Sequence, residues 1–152
     1  MGAGVDPHSY RASAEDIARL HEADFILFHG LSLEGKIARV LQETKRKGKV
    51  HFSPCEEIPR NKLIFTNDTN QTVDPHLWFD PDLWISCAQA LTLKLSQVMP
   101  EEQSFFKANL SAFKASVRTI DRWGKSLLLS IPKIQRILIT SHDAFQYFGN
   151  HF

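Results

Sequence analysis

The feature that most constrains the fold is a continuous helical pattern over residues 101–130, which contains no proline and no glycine before Gly124. Its apolar residues recur at intervals of four and three, at Phe106, Leu110, Phe113, Val117 and Ile120. This spacing predicts one long helix with a single apolar face, on the order of 40 Å in length. Because a small lobe does not need so long a helix, we interpret it as a rigid connector. A coiled-coil helix is the alternative, but the stripe is short and aromatic.

Shorter elements alternate on both sides of this helix. Apolar runs predict buried strands over 23–28, 49–53, 62–66 and 136–140. Amphipathic segments predict helices between these strands: one after an N-cap at Ser13, one over 35–47, and one that begins at Pro81 and ends before Pro100. A polar turn is expected over 67–72. Strands that alternate with helices favour an α/β fold with a mostly parallel sheet.

Three histidines are the candidate functional residues. His8 and His76 each follow an Asp-Pro pair in loops that lead into predicted helices, and His142 directly follows a predicted strand. In α/β folds, ligands bind beyond the carboxyl ends of the strands, so all three lie where such a site would form. Imidazole is a ligand that suits Zn, Cu, Fe and Ni. We therefore interpret these residues as one metal site. A structural or exposed role is favoured for the remaining histidines: His21, His29, His51 and His151.

The residues around the histidines suggest supporting roles. Pro75 and Pro81 stiffen the segment that carries His76. Trp78 and Phe79 are expected to pack behind that imidazole. A carboxylate near each histidine could either cap the following helix or orient a metal ligand. These carboxylates are Asp6, Asp74, Asp80 and Asp143, and capping is favoured for Asp80.

Composition limits the classes of protein. The chain has 152 residues, 43% hydrophobic residues and a net charge of +1, values typical of a globular protein about one domain in size. This charge argues against nucleic-acid binding by phosphate neutralisation. No apolar run is long enough to span a membrane, and no signal peptide begins at Met1, so the protein is either cytosolic or has its export segment outside this chain. Cys55 and Cys87 could form a disulfide or be separate buried thiols.

These observations leave two other functions open. Three histidines could hold the zinc of a hydrolase or hydratase, which would need a free coordination position for water. Alternatively, residues 101–130 could make the chain a structural helical interaction module, in which case the three histidines would not contribute to binding.

Several motifs together resemble one known family. The segments 4–10, 74–81 and 140–148 closely resemble motifs of the metal-binding receptors of zinc/manganese ABC transporters, the cluster A-I solute-binding proteins. Residues 23–26 and 30–34 are also similar to that family. The resemblance covers nearly the whole chain in the same order.

The resemblance implies two α/β lobes joined by one long helix, with the metal in the cleft. On this basis residues 1–100 form the first lobe without its first strand, 101–131 form the linker helix, and 132–152 begin a truncated second lobe. The metal ligands would be His8 and His76 from the first lobe and His142 from the second. The family's fourth ligand, a carboxylate, would lie beyond the end of this chain.

The function implied by the resemblance is transport without catalysis. The receptor would capture Zn²⁺, Mn²⁺ or Fe²⁺ as cargo and deliver it to the membrane permease of an ABC transporter. It would act as a monomer in the periplasm or on the outer face of the cytoplasmic membrane, without a nucleic-acid partner. Three neutral imidazoles and one carboxylate would leave a divalent ion with one net positive charge in a closed site, which suits carriage better than hydrolysis.

Overall fold

A computed structural model describes residues 4–46, 48–66 and 72–152. Most of the polar turn expected over 67–72 lies outside these residues. The chain forms two compact units, Met1–Glu57 and Ile58–Phe152. The boundaries that the resemblance implies at residues 100 and 131 stay predictions.

The first unit contains two helices and a two-stranded parallel sheet. Its elements are α1 (Ala14–Glu22), β1 (Phe25–Leu27), a 3₁₀ turn (Gly35–Ile37), α2 (Ala38–Arg46) and β2 (Val50–Phe52). β1 and β2 are parallel, with Ile26 opposite His51. Parallel neighbours require a crossover connection, and α2 lies within it.

Helix α1 begins with the predicted N-cap. The Ser13 hydroxyl accepts the Asp16 N–H, and the Asp16 carboxylate accepts the Ser13 N–H, which completes a capping box. Hydrogen bonds from the Tyr10 hydroxyl and then from Ser13 lower the pKa of Asp16 to about 2. The carboxylate therefore stays ionised and supports the helix start at neutral pH.

A small apolar core holds the first unit together. Ile26, Ile37 and Leu41 are its buried members, and partly buried residues such as Leu20 pack against them. The expectation that β1 is a buried strand is only partly met, because Leu27 is 51% exposed. Only Ile26 of this strand is buried.

The second unit is mainly helical. It contains α3 (Pro81–Val98), α4 (Gln103–Leu129) and α5 (Gln146–His151), with 3₁₀ turns at Arg60–Lys62, Leu77–Phe79, Pro100–Glu102 and Lys133–Gln135. The predicted start of α3 is confirmed, since the Asp80 carboxylate accepts the N–H groups of Asp82 and Leu83. Helices α3 and α4 pack against each other.

The long helix α4 is present, but its inward face differs from the predicted one near the end. Ile120 is 64% exposed, whereas the neighbouring Asp121 is buried. A strict alternation of four and three residues has a mean period of about 3.5, so it drifts around a helix of about 3.6 residues per turn. The apolar stripe therefore leaves the α3 contact after several turns.

Two predicted strands are wrong. Over 62–66 the structure has the end of a 3₁₀ turn and a single antiparallel bridge between Phe65 and Val73. Over 136–140 it has no strand, and Ile137 and Ile139 are 76% and 89% exposed. A strand needs a neighbour for its backbone groups, and no strand pairs with 136–140 in the described residues.

Cys55 and Cys87 are separate buried thiols. Among the helices in the described ranges, none combines the length and the apolar character needed to cross a membrane.

Candidate metal centre

The loop that carries His76 is rigid and buried. His76 and Asp74 are 5% and 1% exposed. Asp74 Oδ1 accepts both the His76 main-chain N–H, at 2.9 Å, and the imidazole Nδ1–H, at 2.6 Å. Two bonds from one carboxylate oxygen fix both the backbone and the ring of the same residue. This supports the orienting role for Asp74 rather than a helix cap.

This contact determines which ring nitrogen of His76 can bind a ligand. An ionised carboxylate can only accept hydrogen bonds, so Nδ1 of His76 carries the proton. In the neutral ring, the lone pair is then on Nε2, which is directed away from Asp74. A carboxylate that holds one imidazole nitrogen while the other faces the metal is a common arrangement in metal proteins.

His142 supplies a second imidazole at the same place. Its Nε2 lies 3.2 Å from Nε2 of His76, although the two residues are 66 positions apart in sequence. The ring centroids are 5.0 Å apart and the planes are inclined by 80°. In the absence of a cation, one proton can be shared between the two nitrogens as an N–H···N hydrogen bond. When His142 carries its proton on Nδ1 instead, both Nε2 atoms have lone pairs and can bind a cation placed between them.

Aromatic residues hold the two histidine segments in place. Trp78 packs edge-on against His76, with centroids 5.3 Å apart. Phe79 packs against Phe145, which precedes α5, with centroids 4.6 Å apart. The expectation that Trp78 packs behind the imidazole is confirmed. Phe79 instead joins the His76 loop to the segment that follows His142.

His8 lies in a tight turn of the first unit. Its main-chain N–H donates to Asp6 Oδ1 at 2.9 Å, and Ser9 N–H donates to the Asp6 carbonyl at 3.3 Å. Gly35 has φ +24°, and a Cβ on it would be 2.4 Å from the carbonyl oxygen of His8. Only glycine permits this close approach to the backbone of the His8 turn. The metal-binding role of His8 stays a prediction.

Two of the remaining histidines, His29 and His51, have structural contacts of the kind expected for them. His29 Nδ1 is 3.5 Å from the sulfur of Cys55. His51 Nε2 is 3.0 Å from the hydroxyl of Thr44, and burial, followed by the charge of Lys45, lowers the pKa of His51. These contacts lie inside the first unit.

His151 was placed among the structural or exposed histidines, and it belongs to an ion-pair network. Its Nε2 is 2.7 Å from Asp121 Oδ1, and its Nδ1 is 3.5 Å from Asp80 Oδ1. Asp82 lies close to the same groups but forms an ion pair with Arg118 at 2.6 Å. Since Asp80 caps α3 and Asp82 is paired with a cation, we interpret this cluster as structural.

Asp143 does not cap the helix that follows it. Helix α5 has Phe145 at its N-cap and no side-chain hydrogen bond there. The Asp143 carboxylate accepts a hydrogen bond from the Gln146 amide at 3.2 Å. The capping option for Asp143 is therefore wrong, because α5 begins at Gln146 and has Phe145, not Asp143, at its N-cap position.

Comparison with known proteins identifies the family. The family model described as the zinc-uptake complex component A, periplasmic (ZnuA), matches residues 1–152. The chain belongs to this family. The resemblance found in the motifs is thereby confirmed.

Individual relatives have names that refer to metals. The manganese-binding lipoprotein MntA of Bacillus subtilis (strain 168) is 41% identical over 152 residues, which are 100% of this chain and 49% of MntA. The zinc-binding protein TroA of Treponema pallidum (strain Nichols) is 34% identical over 100% of this chain and 48% of its own length. The chain thus spans about half the length of these ZnuA-family relatives.

A solved structure of a metal-binding protein is also similar to this chain. The periplasmic zinc-binding protein TroA from Treponema pallidum has a TM-score of 0.92 and 34% sequence identity over 99% of this chain and 53% of the solved chain. This similarity confirms the predicted α/β class. The hydrolase alternative finds no support in these ZnuA-family relatives, which are named as binding proteins.

Proposed function

We propose that this protein captures a divalent transition metal, Zn²⁺, Mn²⁺ or Fe²⁺, as cargo for uptake through an ABC transporter. The observation that carries the proposal is the convergence of the imidazoles of His76 and His142, with their Nε2 atoms 3.2 Å apart. The names of relatives support it, since MntA is called manganese-binding and TroA zinc-binding.

The proposed ligand set is His8, His76 and His142. Asp74 supports His76 because it holds Nδ1–H and leaves Nε2 for the metal. His8 belongs to the first unit, and its inclusion rests on the family resemblance of its Asp-Pro-His phrase. Nitrogen ligands of this kind bind Zn²⁺ more tightly than Mn²⁺ by the Irving–Williams order, whichever metal is the biological cargo.

The proposed site carries the metal and performs no reaction on it. The partner would be the permease of an ABC transporter, to which the metal is released. The names of MntA and of the Streptococcus mitis protein PsaA include the word lipoprotein, which supports a location at the outer face of the cytoplasmic membrane or in the periplasm. We further propose that the protein acts as a monomer.

Calorimetric titration of the 152-residue chain with Zn²⁺ and Mn²⁺ tests this function. We expect His76→Ala and His142→Ala to weaken binding of both metals severely, and His8→Ala to weaken it as well. His21→Ala, which alters a histidine of α1 outside the proposed ligand set, is the matched control and should bind normally. Failure of the unaltered chain to bind either metal, or normal binding by both His76→Ala and His142→Ala, would contradict the proposal.

Acidification offers a second measurement on the same samples. Free imidazole titrates near pH 6.5, so protons should compete with the metal and weaken binding below about that pH. An affinity that does not change as the solution is acidified through this range would argue against histidine ligands.

A further inference from the structure

The Tyr147 side chain forms a hydrogen-bonded bridge between α5 and two distant main-chain positions. Tyr147 lies in the first turn of α5, and its side chain is only 2% exposed. The hydroxyl donates to the main-chain carbonyl of Asp74 at 3.0 Å and accepts the main-chain N–H of Ile64 at 3.0 Å. One side chain therefore joins α5 to two backbone positions more than seventy residues earlier in the chain.

The two backbone positions face each other across a short antiparallel pairing. Phe65 and Val73 form the isolated bridge, so Ile64 and Asp74 are the next opposed pair. Asp74 N–H donates directly to the Ile64 carbonyl at 2.9 Å. In a regular antiparallel pair of this kind, the reciprocal bond from Ile64 N–H to the Asp74 carbonyl would also be direct. Here the Tyr147 hydroxyl is inserted into that bond.

This insertion sets the position of Asp74. A direct N–H···O bond brings nitrogen and oxygen to about 2.9 Å, whereas the hydroxyl keeps them apart and makes one 3.0 Å bond to each. The Asp74 carbonyl is thus kept apart from the Ile64 N–H, whereas the Asp74 N–H is bonded directly to the Ile64 carbonyl. The backbone of Asp74 cannot shift without breaking a buried hydrogen bond.

The position of Asp74 is transmitted to His76. Asp74 Oδ1 holds both the main-chain N–H and the ring Nδ1–H of His76. Tyr147 is therefore connected to the His76 imidazole through its own hydroxyl, the main-chain carbonyl of Asp74 and the carboxylate of Asp74. Tyr147 also follows His142 closely in sequence, so the segment that carries one imidazole fixes the loop that carries the other.

We propose that Tyr147 is a positioning residue for the metal site, because its hydroxyl spaces Asp74 from Ile64 and so sets the approach of His76 to His142. The proposal rests on the function proposed above. A purely structural role for Tyr147 would affect the stability of the second unit without changing the geometry of a bound metal. The two roles can therefore be separated by a measurement on the metal itself.

The test is Tyr147→Phe, which removes the hydroxyl and keeps the ring. Without the bridge, Ile64 N–H and the Asp74 carbonyl either lose their partner or close into a direct bond, and in both cases the constraint on the Asp74 carbonyl is lost. We expect Zn²⁺ binding, measured by competition with a chromophoric chelator, to weaken by about 10-fold or more. We also expect the visible absorption spectrum of bound Co²⁺ to change, because its bands report the coordination geometry.

Tyr10→Phe is the matched control, since the chain contains only two tyrosines and the Tyr10 hydroxyl also donates a hydrogen bond, in its case to the Asp16 carboxylate. Its Zn²⁺ affinity and Co²⁺ spectrum should equal those of the unaltered chain. If Tyr147→Phe binds Zn²⁺ normally and gives the unaltered Co²⁺ spectrum, the positioning role is overturned while the proposed function stands. If the unaltered chain does not bind Zn²⁺, the proposed function itself fails.

A second variant covers the case in which Tyr147→Phe does not fold. In the Tyr10→Phe background, Tyr147 is the sole tyrosine, so a ring-fluorinated tyrosine enters at that position alone. Fluorine withdraws electrons and makes the hydroxyl a stronger donor and a weaker acceptor, with little change in volume. The proposal expects a changed Co²⁺ spectrum and a changed Zn²⁺ affinity relative to Tyr10→Phe. Identical values for the two proteins would overturn it.

Discussion

Replacing Asp74 with asparagine tests the electrostatic support of His76. Asp74 is 1% exposed, and its Oδ1 accepts the N–H and the Nδ1–H of His76 at 2.9 and 2.6 Å. Asparagine retains an oxygen acceptor in a similar position but carries no charge. The change therefore removes the charge from these hydrogen bonds and leaves the size of the side chain nearly unchanged.

The expected magnitude follows from these contacts. A hydrogen bond to a charged group contributes about 1.5–3 kcal/mol, and its neutral counterpart is roughly half as strong. The carboxylate also makes the imidazole a better metal ligand, and loss of such a partner weakens metal binding by about 10–100-fold. That range corresponds to about 1.4–2.7 kcal/mol of metal-binding free energy.

The assay is competition titration of Zn²⁺ against a chromophoric chelator at neutral pH, with thermal unfolding of the metal-free protein measured in parallel. Asp143→Asn is the matched control, because it makes the same change beside the other imidazole at an exposed carboxylate that accepts from Gln146. Asp143→Asn should bind normally. If folded Asp74→Asn also bound Zn²⁺ as tightly as the unaltered chain, the reasoning about Asp74 would be refuted.

Three further changes probe the two units. Gly35→Ala should lower the free energy of unfolding by on the order of 1–3 kcal/mol, because the new Cβ would be 2.4 Å from the His8 carbonyl oxygen. Urea unfolding would measure this loss, and an unchanged midpoint would contradict the prediction. His51→Gln should reduce the loss of stability on acidification, because the folded-state pKa of His51 is lowered. The contribution of His51 is complete above the unfolded-state pKa of about 6.5 and is lost as the pH falls from there through the lower folded-state pKa. Urea unfolding at several pH values should therefore give a flatter profile for the variant than for the unaltered chain. For Asp121, burial raises the pKa, but hydrogen bonds from His151 and Lys125 prevail and lower it. The contribution of Asp121 to stability is present above the unfolded-state pKa of about 3.9 and is lost as the pH falls through the lower folded-state pKa. Asp121→Asn should therefore be less stable than the unaltered chain at neutral pH and should approach its stability in acid.

Local sequence patterns were sufficient for much of the helical structure. The cap formed by Asp80 and the proline after it located the start of α3, and the pattern over 101–130 located α4. Capping and periodicity act over a few residues, so they can be read from the chain directly. The three candidate histidines were also evident, since each lies in a short phrase similar to a family motif.

The sequence was less informative about which residues are buried. Val98 of α3 is apolar but 43% exposed, whereas Leu83 and Ile85 of the same helix are both 6% exposed. The segment 136–140 has the composition of a buried strand, yet it is exposed and unpaired in the described residues. Burial depends on the elements that pack on a segment, and strand formation depends on a neighbouring strand; a local pattern specifies neither.

The arrangement of the candidate metal centre was decided by the tertiary structure. His76 and His142 meet although they are 66 positions apart, and Tyr147 reaches Ile64 across 83 positions. The sequence specified the chemical groups, because imidazole and carboxylate are properties of single residues. Only the folded chain determined that the Tyr147 hydroxyl replaces a backbone hydrogen bond at Asp74, because that contact depends on the simultaneous packing of α5 and the His76 loop.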